Sequence, residues 1–206
     1  MLHIVEHPCV KHELAVLRNR DTDMRMFRDA MNRISFFLLA EALKTLSVKI
    51  APIQTPLAST HGYQLADGVM FVPVLRAGLG FLSTAQILVP DATVGFIGIK
   101  RNEETAEPMT YYKNIPPVQD DTTVFILDPM LATGGSLCEA ISIVKKAGAK
   151  KCVLVTLLAA PEGVTFIERA HPDAIIYTAA CDEKLTSSYY IYPGLGDAGD
   201  RTFGTL

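Results

Sequence analysis

The chain has no surplus of basic residues: 19 Lys and Arg stand against 22 Asp and Glu, a formal charge of −3. A nucleic-acid or membrane-surface partner normally shows as a basic excess, so neither is expected. An anionic substrate would have to be met by local arginines, lysines, backbone N–H groups or a metal. Cysteine is sparse as well. Cys9, Cys138, Cys152 and Cys181 are scattered, without a Cys-x-x-Cys pair or a histidine cluster. This argues against a disulfide framework or a zinc site, and free thiols in a reducing cytosol are the expectation. No apolar run approaches the roughly 18 residues that cross a membrane. The opening Met1-Leu-His-Ile-Val-Glu6 turns polar too early for a secretory signal. A cytoplasmic location follows as an expectation. No repeat, low-complexity tract or linker interrupts the 206 residues, which suit one domain, 1–206, with a sizeable core. Hydrophobic residues at 49% and charged residues at 20% argue against disorder.

What is present is an alternation. Phe27, Met31, Ile34, Phe37, Leu38 and Leu43 fall at helical spacing, predicting a helix over 23–46 with Asp21 or Thr22 as its cap. A polar, proline-containing stretch follows over 52–68. Apolar runs at 69–75, 93–99, 123–127, 152–158 and 174–177 read as strands. Between them, 78–88, 136–147 and 162–170 read as helices, the second closing on Lys145, Lys146 and Gly148. Continuous apolar strands alternating with amphipathic helices predict an α/β fold: a mostly parallel central sheet flanked by helices on both faces. In such sheets ligands bind beyond the carboxyl ends of the strands.

The segment Val124-Phe-Ile-Leu-Asp-Pro-Met-Leu-Ala-Thr-Gly-Gly-Ser136 is the most informative of those strand ends. A buried strand stops at Asp128, and a helix begins near Ser136. Gly134 and Gly135 allow close backbone approach, Thr133 and Ser136 supply hydroxyls, and a helix start supplies unpaired N–H groups. The set suits a phosphate dianion, with Asp128 beside it as an acceptor for hydroxyls. It is neither a Walker loop nor a dinucleotide fingerprint, since it lacks Gly-Lys-Ser/Thr and Gly-x-Gly-x-x-Gly. On these residues alone the lesser reading is a tight turn that needs glycine, with Ser136 as the cap. Arg76, at the end of 69–75, reads as a surface arginine or as a phosphate ligand on the same sheet edge. The charged segment 100–113, with Arg101, reads as a solvated hairpin or as a mobile flap. Near the end, four glycines occur in eleven residues from Gly194, yet Ile191, Tyr192, Leu195 and Phe203 are interspersed. That mixture predicts an ordered looped segment whose backbone reaches a flat ligand.

Several of these strings resemble one family. Thr133-Gly-Gly-Ser136 after an acid resembles the phosphoribosyl-diphosphate (PRPP) loop of type I phosphoribosyltransferases. Asp128-Pro129, Arg101-Asn-Glu-Glu-Thr105 and Tyr190-Ile-Tyr-Pro-Gly-Leu-Gly-Asp-Ala-Gly-Asp-Arg201 are similar to the uracil phosphoribosyltransferase branch. Members with two adjacent acids at 128–129 are common in the wider superfamily, and Pro129 removes one carboxylate here. The resemblance implies the type I phosphoribosyltransferase fold with a small hood and a flexible arm. It implies transfer of a 5-phosphoribosyl group from PRPP to uracil, giving UMP and diphosphate, with Mg²⁺ carried mainly by PRPP. The PRPP site would comprise Arg76, Arg101, Asp128, Pro129, Met130, Leu131, Ala132, Thr133, Gly134, Gly135, Ser136 and Asp197. Arg76, Arg101 and Asp128 would carry the chemistry, and a strained peptide is implied at Arg76-Ala77. Uracil would rest on Ile191, Gly196, Asp197 and Ala198. GTP is implied as a candidate effector, and a homodimer or larger assembly is implied. Transfer to purines or orotate, and a silent regulator that senses PRPP or binds RNA, are the alternatives. The Asp-Pro pair and the tail signature weigh against the first, and the negative charge with intact loops against the second.

Overall fold

The computed structural model describes residues 1–101 and 108–205, the side chain of Arg101 excepted. In chain order these form β1 (Leu2–Ile4), α1 (Pro8–Arg18), α2 (Met24–Leu43), β2 (Val48–Gln54), β3 (Ser59–Leu65) and β4 (Gly68–Leu75). Next come α3 (Leu79–Leu88), β5 (Thr93–Val94), β6 (Phe96–Arg101), β7 (Pro108–Asn114), β8 (Thr122–Leu127), β9 (Met130–Leu131) and α4 (Gly135–Lys146). The remainder is β10 (Lys151–Ala159), α5 (Pro161–Ala170), β11 (Ile175–Cys181), β12 (Lys184–Leu185), β13 (Ile191–Tyr192) and α6 (Ala198–Phe203).

The main sheet runs β1-β11-β10-β8-β4-β6-β7, with β5 beside β4 and β9 beside β10. Every pairing in it is parallel except β6 with β7. Period-two alternation divides its side chains between two cores. Along β4, Val69 and Phe71 join Leu17, Phe27, Met31 and Phe81 from α1, α2 and α3. Met70, Val72 and Val74 turn the other way, to Leu137, Ile141 and Val144 of α4 and Ile167 of α5. Both faces are therefore covered, as the unbroken apolar strands require. Each buried side chain of this size contributes about 1.5–3 kcal/mol relative to an exposed one.

Four details differ from the sequence reading. The cap of α2 is Asp23, whose carboxylate accepts from Met26 N–H at 2.8 Å. Thr22 instead donates its hydroxyl to Val16 C=O, and the helix stops at Leu43. The polar stretch 52–68 is mostly an antiparallel hairpin of β2 and β3, exposed on both faces. The run 93–99 is two strands interrupted at Gly95, both in one parallel register with β4: Phe71 pairs with Val94 and Val74 with Ile97. The opening residues, read only against a secretory signal, supply an edge strand and a helix. That helix has Pro8 in its first turn and His7 capping it through Cys9 N–H.

Connectivity sets where a ligand binds. From β4 the chain leaves through α3 toward β5 and β6. From β8 it leaves through α4 toward β10 and β11, in the opposite direction. The two paths part between adjacent strands, so the carboxyl ends of β4 and β8 flank an open crevice.

Candidate active site

On the β8 side, the strand ends at Leu127, Asp128 follows it, and α4 starts seven residues after Asp128. The cap of α4 is Gly134 at φ 86°, and no side chain caps it. A Cβ there would stand 3.0 Å from Gly163 C=O, so both the left-handed φ and the contact with α5 select glycine. The cap falls on Gly134 rather than Ser136, which leaves the Ser136 hydroxyl free to face the crevice. The first-turn N–H groups of α4 have no intrahelical acceptor, and the helix dipole favours an anion before them. Asp128 accepts from Met130 N–H at 3.3 Å. Burial pushes its carboxyl up to about 7, the Met130 bond opposes this, and the nearby Asp197 charge adds to it.

On the β4 side, Arg76 follows the strand across a cis Leu75–Arg76 peptide. Its guanidinium is more than half exposed and lies 3.5 Å from the Asp200 carboxylate on α6. The turn after it is tight. A Cβ on Gly78 would come within 2.2 Å of Leu127 C=O, so the start of α3 sits directly on the end of β8.

These two strand ends and the last part of the chain enclose a cavity of about 490 Å³. Of the residues singled out in the sequence, Arg76, Asp128, Met130, Ala132 and Ser136 line one part of it. Ile191, Gly196, Asp197 and Ala198 line the other. Thr133, Gly134 and Gly135 form the turn behind Ser136. Pro129 and Leu131 turn away: both are buried, and their carbonyls accept from Leu157, Leu158 and Ala160 N–H on the β10 side. The segment 102–107 and the Arg101 side chain, with the expected flap, lie outside the described residues. Its described limbs, β6 and β7, pair antiparallel.

The cavity also takes in Ala77, Ser188, Tyr189, Tyr190 and Gly199. The one signal for the tyrosines was a pair of adjacent aromatics in a polar stretch ahead of the glycine-rich segment. His171 is half-buried where α5 ends, with Nε2 3.5 Å from Cys138 Sγ and 3.4 Å from Ser142 Oγ.

The base-side wall is ordered by side chains from far away. Asp182 accepts from Arg18 through both oxygens, at 2.8 and 2.5 Å, and from Gly194 N–H at 2.9 Å. Arg18 also donates to Gly194 C=O at 2.8 Å. Arg201 donates to the carbonyls of Leu17, Leu195 and Asn19 and lies over the Phe27 ring. Arg28 donates to Thr202 C=O at 2.6 Å. Asp197 caps α6 through Asp200 N–H.

For a divalent cation the cavity offers the carboxylates of Asp128 and Asp197. No cluster of three or more His, Cys, Asp or Glu able to hold a metal occurs among the described residues. This donor set fits Mg²⁺ held largely by substrate phosphates, which needs only one or two protein carboxylates. It does not fit a protein-caged ion. No helix is long and apolar enough to cross a membrane among the described residues.

The family described as uracil phosphoribosyltransferase matches residues 4–205. A uracil phosphoribosyltransferase of Thermosipho africanus is 47% identical over 99% of this chain and 99% of its own. One from Streptococcus equi subsp. zooepidemicus is 48% identical over 98% and 97%. A solved protein from Aquifex aeolicus superposes with a TM-score of 0.94 at 41% identity, covering 98% of each chain. A hypoxanthine-guanine phosphoribosyltransferase from Bacillus anthracis shares the fold, with a TM-score of 0.51 at 14% identity over 77% of this chain and 80% of its own.

Proposed function

The chain belongs to the uracil phosphoribosyltransferase family, and from that premise we propose that it transfers the 5-phosphoribosyl group of PRPP to uracil. A bond forms between uracil N1 and ribose C1, the C1–O bond to diphosphate breaks, and the N1 proton is lost. The products are UMP and diphosphate. The observation that carries this reading is convergence: Arg76, Asp128, Ser136 and the 191–198 segment, far apart in sequence, line one cavity.

Each wall then has a task. The 5-phosphate lies before the α4 N-terminus, against Thr133, Gly134, Gly135 and Ser136. Asp128 accepts from the ribose hydroxyls and offsets the positive charge that develops on the ring as diphosphate departs. Arg76 releases Asp200 and takes diphosphate oxygens, with Arg101 as a second guanidinium there. Asp197 serves PRPP directly or through metal-bound water. Mg²⁺, when bound with PRPP, supplies neutralisation of the leaving diphosphate. Ile191, Gly196, Asp197 and Ala198 hold the base by backbone groups. The base itself is the nucleophile, so positioning and electrostatics carry the rate.

Incubating the pure protein with PRPP, Mg²⁺ and each nucleobase tests the proposal. UMP formed from uracil alone supports it, and nucleotide formed only from a purine or orotate would overturn it. Family membership also supports a single catalytic domain over 1–206, assembly into a dimer or larger oligomer, a cytoplasmic location, and GTP as an effector. Sedimentation checks the assembly, and initial rates with and without GTP check the effector.

A further inference from the structure

We propose that Arg18 and Asp182 are positioning residues for base recognition, forming a clamp that holds the uracil-facing loop without touching substrate. The inference rests on the proposed function. Neither residue lines the cavity. Both address one residue, Gly194, through the peptide on each side of it: Asp182 accepts from its N–H and Arg18 donates to its C=O, at 2.9 and 2.8 Å. Gly194 sits at φ 63°, a left-handed turn two residues before Gly196, where the cavity wall resumes. The turn thus sets the path of the backbone that would read the base.

The clamp is built to be rigid. The Asp182 side chain is 6% exposed and that of Arg18 26%. Their contact is two-pronged, which fixes orientation as well as distance. A carboxylate this buried is costly unless every lone pair is used. Here the two Arg18 contacts and the Gly194 N–H occupy three of its roughly four acceptor positions. The anchor of the clamp is itself anchored. Arg18 ends α1, and α1 is tied to α2 by Arg33 donating twice to Glu13, at 2.7 and 2.9 Å. A displacement of the turn would move Gly196, Asp197 and Ala198 against the base, while the phosphate wall on β8 and α4 would stay in place.

The test separates base from sugar. Arg18→Lys keeps the charge and loses the two-pronged geometry; Asp182→Asn keeps the shape and loses the charge. Expected for both is a rise in KM for uracil of roughly tenfold or more, the scale of a small misplacement in a site. PRPP affinity, read by calorimetry without uracil, should fall much less than uracil affinity, because Asp197 alone among the residues assigned to PRPP moves with the turn. The uracil-over-cytosine ratio of kcat/KM should fall, and Arg18→Lys should retain more of it than Arg18→Ala. An unchanged uracil KM would overturn the proposal. So would a loss of PRPP affinity in step with that of uracil, since that marks a general support of the fold. If wild type turned over another base and not uracil, the proposed function would fail, and the same split would be read with that base.

Discussion

The two walls of the cavity are made in different ways. The phosphate wall is local: one strand, one turn and one helix over 124–146, held by main-chain geometry and two closely packed cores. The base wall has little regular structure. Its two-residue strands and six-residue helix are held by Arg18, Arg28 and Arg201, which join the tail to α1 and α2. A cradle for a group common to many reactions can be written in a short motif. The wall proposed to distinguish one flat base from another is held by side chains remote in sequence.

The largest expected effect tests the base wall. Uracil offers an acceptor at O4 and a donor at N3, and cytosine reverses both. A fixed backbone then meets cytosine donor to donor and acceptor to acceptor, at about 1–3 kcal/mol for each buried mismatch. We expect kcat/KM for uracil to exceed that for cytosine by roughly 10⁴. 5-Fluorouracil, whose pairing edge is unchanged, should be accepted. Comparable values for uracil and cytosine would break the assignment of the wall to 191–198.

Next is the phosphate wall. Asp128→Asn should lower kcat by on the order of 10²–10³, the usual scale for one preorganised electrostatic group. Wild-type kcat/KM for PRPP should fall as pH drops through about 7, where the raised Asp128 carboxyl takes up its proton. The variant should lack that inflection. Stability should move the opposite way. Between the ordinary carboxyl value of 3.8 and the folded value of about 7, the folded chain holds a proton that the unfolded chain has released. Stability therefore declines as pH rises through that window. The thermal midpoint of Asp128→Asn should accordingly gain on wild type as pH rises across it. A constant difference would mean that Asp128 is not held near neutrality.

Smaller effects sharpen the contrast. Gly134→Ala forces a side chain into a left-handed φ, at about 1–2 kcal/mol, and against Gly163 C=O. It should lower the thermal midpoint by a few degrees, weaken PRPP where the loop relaxes out of the strain, and leave the uracil-to-cytosine ratio unchanged. Arg101→Ala should weaken PRPP by roughly tenfold, the loss of one charge-assisted contact. UMP, which lacks diphosphate, should bind as before; equal losses in both would place Arg101 elsewhere.

The same division explains what the sequence made legible. β4, β8, β10, α2 and α4 announce themselves by unbroken apolar runs or helical spacing, because both sheet faces are buried. β2 and β3 escape that reading because neither face is buried, so no apolar period marks them. Asp128 and Ser136 are legible because strand, turn and helix are contiguous. Gly196 to Ala198 were legible as a signature, but their support was not. Arg18 and Asp182 are 164 positions apart, and neither carries a local pattern. Ser188, Tyr189 and Tyr190 reach the cavity only through the path of a loop, which no period encodes.

That 164-residue separation also bears on the order in which the molecule is completed. A contact between such distant partners closes a long loop, and loops of that length close late. The edge of the sheet pairs Leu2 with Ile176 over a comparable span, so the two ends of the chain must meet before either the sheet edge or the turn at Gly194 is held.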